Sequence, residues 1–253
     1  VHNVGFSHEN RRVSSDIAGH AAGELQDRMA GRPVVFIASG ACGDVNPGSS
    51  GPCGETLRHT AGELAGELEA ALLKAKPLGD DPLEAREGAV DLPVRILKAE
   101  EIARENEADV QTLTPQVLYL KDWNPQIRTN ILNAFEAWRR TALLKLSKPT
   151  ADRVGVNLQL LRMGGLVFAG VGAEVPSGFE DSLRKACPFP IYVLGYTGGD
   201  AGYIMPPGTK SNAYEIKYAH KFHGVWNFAE NAYELLLGQT KLQALHIIQA
   251  PKN

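Results

Sequence analysis

The stretch Val154-Gly-Val-Asn-Leu-Gln-Leu-Leu-Arg-Met-Gly-Gly-Leu-Val-Phe-Ala-Gly-Val-Gly-Ala-Glu174 decides the fold. Val156, Leu158 and Leu160 recur at every second position, Met163-Gly-Gly165 breaks the run, and residues 166–171 resume it as an unbroken apolar segment. That pattern predicts a β-hairpin turned on glycine, with its second strand buried. Glu174 follows the second strand directly. An acidic side chain there stands at the end of a sheet strand, where sites of α/β proteins collect. A glutamate in the same place also suits the start of the helix beginning near Pro176, which it would cap or face from solvent. Spacing alone does not separate the two.

Outward from the hairpin, the chain alternates strands with helices. Downstream, a helix over 176–185 and a strand over 191–194 are followed by a loop over 195–207 and a last helix near 226–237. Upstream, Ile17, Ala21, Leu25 and Met29 make one apolar face of a helix over 15–29, with Ser14 or Ser15 placed to cap it. Residues 34–38, β-branched and bounded by Pro33 and Gly40, predict a short buried strand. A glycine-rich segment over 39–54 leads to a helix carrying Leu57, Ala61, Leu64, Leu68 and Leu72. Residues 77–93, rich in Pro, Gly, Asp and Glu, read as a connector running into a strand over 90–97. Helices over 99–108 and 127–146 follow, the second with Ile131, Phe135, Trp138 and Leu146 facing inward. The expected class is therefore α/β, a mixed β-sheet with flanking helices, in a single domain over 1–253 with 77–93 as its internal connector.

Composition narrows the function classes. With 43% apolar and 22% charged residues in 253, the chain has the profile of a folded domain and can bury a core without metals or disulfides. A net charge of −3 with no basic run argues against a nucleic-acid or polybasic membrane partner. The longest apolar stretches fall far short of the roughly 20 residues of a membrane-spanning helix. Cys42, Cys53 and Cys187 are too few for a disulfide framework. Cys42 and Cys53 flank one loop and are either bridged, if the protein is exported, or two free thiols.

Several constellations have the chemistry of a site. The loop Gly195-Tyr-Thr-Gly-Gly-Asp-Ala-Gly-Tyr203 follows a strand, and its glycines let the backbone fold tightly enough to bring side chains together. An ordinary turn with a packed aromatic would have the same composition. The loop Gly40-Ala-Cys-Gly-Asp-Val-Asn-Pro47 lacks the Lys-Ser/Thr ending of a phosphate-binding loop. His220 and His223 share a helix face at a spacing that suits a metal pair, and equally suits solvated or aromatic-packed histidines beside Lys217, Tyr218 and Lys221. His8, His20, His59 and His246 stand alone and read as packing or surface residues.

Four segments taken together resemble the neutral ceramidase family, zinc-dependent amidases that cut the N-acyl bond of ceramide. Val1-His2-Asn3, with Asn10 and then Val13-Ser-Ser-Asp16-Ile-Ala-Gly19-His-Ala21, is similar to the family segment in which a zinc-binding histidine precedes an Asn and a "SADYPGYA"-like stretch. Phe36-Ile-Ala-Ser-Gly-Ala-Cys-Gly-Asp-Val-Asn-Pro47 resembles the "GxxGDVSP" loop. Gly170-Val-Gly-Ala-Glu174 resembles the "PGE" segment whose glutamate binds zinc. Leu194 to Pro206, followed by Ala213-Tyr214-Glu215, resembles the "NxYxGYxxT…YE" stretch that supplies the last ligand and a tyrosine lining the site. The four occur in the family's order and reach from residue 1 to about 215, while residues 77–150 between them are not matched to a family segment.

Carried over by position, the resemblance implies zinc as cofactor, with His2, Glu174 and Tyr203 as metal ligands and Tyr214 as donor to the scissile carbonyl or its oxyanion. It implies a small-molecule or lipid amide as substrate, a further histidine from an upstream segment of the same protein completing the site, and export to the periplasm or exterior. The chain departs from the pattern at Asn46, which stands where the family has a serine often given a catalytic role. An amide is not a nucleophile, although it hydrogen-bonds substrate or water. Two expectations follow: a zinc hydrolase of an N-acyl amide in which a metal-activated water attacks, with Tyr214 and Asn46 at the substrate, or a ceramidase-like scaffold that binds a ligand or partner without catalysis.

Overall fold

The computed structural model describes residues 13–46, 55–78, 83–114, 124–148 and 151–249. The elements run α1 (Asp16–Arg28), α2 (Glu55–Leu72), β1 (Leu83–Pro93), α3 (Ala99–Thr112), α4 (Pro125–Leu146), β2 (Arg153–Met163), β3 (Leu166–Val171), α5 (Ser177–Ala186), β4 (Ile191–Leu194), α6 (Tyr214–Lys217), α7 (Ala219–His223) and α8 (Ala232–Gln249). The strands form one mixed sheet in the order β1-β2-β3-β4, antiparallel at the first two junctions and parallel at β3-β4. The architecture is α/β with flanking helices, as the sequence predicts.

The hairpin forms because Met163 pairs with Leu166 across two glycines. Gly164 has φ +61, the left-handed setting that a glycine at the first central position of a tight hairpin turn supplies without a Cβ clash. Period-two burial then puts Val156, Leu158 and Leu160 into the core with Val167, Ala169 and Val171. Helix α8 lies on this face through Leu236, Ala244 and Ile247, and α5 joins it through Phe179 and Leu183. The buried Arg162 guanidinium ties the hairpin to the end of α8, donating to the carbonyls of Gly164 (2.9 Å) and of Ile247 and Ile248 (each 3.3 Å). Two smaller clusters seat the other helices: Ile102, Trp138, Ala142 and Trp226 in one, Ile131, Phe135 and Tyr218 in the other.

Three expectations are corrected. Residues 34–38 form no strand, and Val34 and Phe36 are 74% and 91% exposed. The segment meets the sheet near one end, where the Gly195 amide donates to the Ser39 carbonyl at 3.0 Å. Residues 83–93, within the expected connector, are strand β1, pairing along its whole length with β2. The last helix begins at Ala232, not near Trp226, and Trp226 packs edge-on against Trp138 with ring centroids 6.2 Å apart. Among the described residues no helix is long and apolar enough to cross a membrane.

Candidate metal centre

The parallel pair β3-β4, bridged by α5, points both strand ends the same way. The segment after β3 carries Glu174, and the loop after β4 carries Tyr196, Asp200 and Tyr203. These two segments are laced together by their backbones. The Thr197 amide donates to Val171 (3.0 Å), Ala201 to Gly172 (2.9 Å), Glu174 to Gly202 (3.0 Å) and Ile204 to Glu174 (3.0 Å). Glu174 and Tyr203 thus face each other across an isolated parallel bridge. The approach requires glycine at 170, where a Cβ would lie 2.6 Å from Thr197 Cγ2. Tyr196 takes a left-handed φ of +59, uncommon for a non-glycine residue and a local strain that the surrounding hydrogen bonds hold in place.

Glu174 is 8% exposed. Its carboxylate lies close enough to the hydroxyls of Tyr196 and Tyr203 to act on both. Both phenols are pushed well above the usual tyrosine range, first by burial; for Tyr203 the Glu174 carboxylate comes next, and for Tyr196 the contact with Cys42 precedes it. Cys42 Sγ lies 3.6 Å from the Tyr196 hydroxyl, so the loop carrying Asn46 touches this cluster. Asp200 is fixed at one oxygen by the Gly202 amide (2.9 Å) and at the other by His223 Nδ1 (3.3 Å). The pairing with His223 holds the Asp200 carboxyl below its ordinary value, and the same contact raises the His223 imidazole against the opposing effect of burial.

Glu174, Asp200 and His223 each offer one ligand atom, and these atoms lie within 4.8 Å of one another, a group that could hold a metal ion. Carboxylate and imidazole together suit zinc or another first-row divalent ion better than magnesium or calcium, which favour all-oxygen shells. Tyr203 stands beside this group, its ring centroid 6.1 Å from that of His223 and 6.2 Å from that of Tyr214, both edge-on.

Of the residues singled out in the sequence, Glu174, Tyr203 and Tyr214 come together here, and His2 lies outside the described residues. Asn46 is exposed at the end of a loop anchored beside Glu174, where the Gly43 amide donates to Val175 (2.9 Å) and Asp44 accepts from the Ser177 amide at the start of α5 (2.6 Å). Cys53 also lies outside the described residues. The pair His220/His223 is divided: His220 turns into the helices, edge-on to Trp138 at 5.1 Å between centroids, and only His223 reaches the cluster. Asp200 and Tyr196 escaped the sequence reading, although the rule that flags Glu174, a polar residue just past a buried strand, applies equally to the loop after β4.

A cavity of about 300 Å³ opens next to Tyr203, lined among others by Arg95, Met205, Ile216, Asn227 and Phe228. No protein-family model matches the chain, and no curated protein sequence does. Among solved structures, one described as "Ceramidase complexed with C2" matches with a TM-score of 0.58 and 16% identity, over 100% of this chain and 46% of that one. The chain therefore spans less than half the length of that ceramidase and shares its fold over that span.

Proposed function

We propose that this chain forms the metal-binding part of a zinc-dependent hydrolase acting on an N-acyl amide, ceramide-like or another lipid amide. The observation that carries the reading is the convergence of Glu174, Tyr203 and Tyr214 at the ends of the parallel strands in a chain folded like a ceramidase. In this reading His2, Glu174 and Tyr203 hold the ion through a nitrogen, a carboxylate and a phenol oxygen. Zinc, when bound, supplies a water whose pKa falls toward about 7 and polarises the carbonyl under attack. Tyr214 donates a hydrogen bond to the carbonyl oxygen, on which negative charge grows as the amide is attacked. Asn46 hydrogen-bonds the substrate and cannot act as a nucleophile. The cavity beside Tyr203 offers apolar wall from Met205, Ile216 and Phe228 for part of the substrate.

Asn46 favours a second reading, in which the scaffold binds a ligand or partner without turnover. Elemental analysis together with release of fatty acid from short and long N-acyl substrates separates the two. One zinc per chain with zinc-dependent release is the expected result; zinc retained with no release from any amide would leave the binding scaffold as the function.

A further inference from the structure

We infer that His223 is a ligand of this same metal and that Asp200 orients its ring, a role for two residues that the family resemblance does not point to. The inference rests on the reading of Glu174 as a metal ligand and adds a ligand from a different element, α7.

Geometry supplies the first argument. Asp200 engages Nδ1 of His223 at 3.3 Å, which fixes the ring and leaves Nε2 as the nitrogen for an ion. A carboxylate on the far nitrogen of a metal-bound imidazole is one recurring way of setting its tautomer and direction. Asp200 is itself held by the Gly202 amide, one residue from Tyr203, so the orienting carboxylate is built into the loop that carries the tyrosine.

Charge supplies the second. A surface His–Asp pair accounts for the contact between His223 and Asp200, but not for Glu174. Its largely buried carboxylate approaches the same imidazole with a second carboxylate within 4.8 Å. Two carboxylates so placed repel, and the Tyr196 and Tyr203 hydroxyls beside Glu174 are neutral and bring no charge to cancel it. A divalent cation between Glu174 and His223 offsets that repulsion.

The third is rigidity. His223 ends α7, where Gly224 closes the helix in the left-handed conformation at φ +69. Two residues earlier, Lys221 has no side-chain exposure and pairs with Asp109 of α3 at 2.6 Å, its ammonium within 4.8 and 5.0 Å of the Phe135 and Trp138 ring centroids. A helix of five residues gains from this clasp the fixed position a ligand requires.

The test uses the full chain, stripped of metal and titrated with zinc against a chromophoric chelator, then with cobalt(II) as a spectroscopic probe. We expect His223→Gln and His223→Ala to weaken zinc binding by about 100-fold or more, and Asp200→Asn by about 10- to 100-fold. His223→Cys should show a thiolate-to-cobalt charge-transfer band absent from the unchanged chain, a signature that no purely structural role produces. Circular dichroism identifies any variant that fails to fold, and the cysteine variant then carries the decision. Unchanged zinc affinity in folded His223 variants and no cobalt–thiolate band, with zinc lost in Glu174→Gln, would overturn the role of His223 and leave the Glu174 site standing. No zinc bound by the unchanged chain would remove both.

Discussion

His220 and His223 stand three residues apart on one short helix and meet opposite surroundings. His220 is buried among Trp138 and Trp226, and among the described residues its Nδ1 has no hydrogen-bond partner. Burial, reinforced by Lys221 and Arg95, holds its imidazole down at about 3 against the ordinary 6.5. The unfolded chain therefore binds this proton more readily than the folded one, so stability from a neutral His220 is full above pH 6.5 and lost as pH falls toward 3. His220→Phe, which keeps a ring against Trp138, should flatten the acid side of the stability profile by up to about 1.4 kcal/mol per pH unit, measured by urea unfolding between pH 6.5 and 4. Glu174→Gln and His2→Ala should each lower zinc occupancy at least tenfold by elemental analysis; normal occupancy in both would remove these ligand assignments. Tyr214→Phe should keep the metal and lower kcat by about 100-fold, the cost of losing one donor to a developing oxyanion. Glu174 was visible in the sequence because the apolar run before it announces a buried strand. Asp200 was not, because its glycine-rich loop reads equally well as an ordinary turn, and only the bridge between Glu174 and Tyr203 brings it to the site.

Between elements, the contact that fixes α7 is a buried ion pair. Asp109 of α3 receives Lys221 at 2.6 Å and Lys217 at 3.3 Å, and Lys221 reaches Asn106 as well. Removing Asp109 leaves the fully buried Lys221 ammonium without its ion-pair partner, so Asp109→Ala should cost about 3–5 kcal/mol in chemical denaturation. Replacing both sides, Asp109→Leu with Lys221→Met, should recover most of that loss, because an apolar pair of similar volume has no desolvation penalty. The zinc affinity of the double variant then reports whether packing alone holds His223 in place. This region was hard to read in sequence because helices of four and five residues carry no periodicity. Strand β1 was missed for a different reason: as the sheet's edge strand it is exposed along most of its length, so its charged composition resembles a connector. Residues 34–38 are the converse case: their β-branched composition suggests burial, and the segment instead runs past the sheet, meeting it where the Gly195 amide donates to the Ser39 carbonyl. The hairpin, its glycine turn and helices α1, α2 and α4 are legible because apolar periodicity and burial coincide there.

For the whole molecule, the decisive property is that one sheet end gathers the cluster, the tyrosines and a cavity. The cavity of about 300 Å³ lies at the small end of ligand sites and is lined by Tyr203, whose ring neighbours His223, so whatever fills it lies next to the group of Glu174, Asp200 and His223. Ile216, on α6, forms part of its wall two residues after Tyr214. Ile216→Trp should narrow the cavity without touching Glu174, Asp200 or His223, leaving zinc content unchanged. If the cavity receives the acyl chain, KM should rise about tenfold or more for long-chain amides and change little for a two-carbon acyl group, since each buried methylene is worth about 0.8 kcal/mol. The measurement is steady-state hydrolysis across a series of acyl lengths, repeated after chelation and after zinc is restored. Equal KM changes at every length would move the acyl chain out of this cavity. Hydrolysis that survives complete zinc removal would detach the reaction from a metal held at the Glu174 cluster.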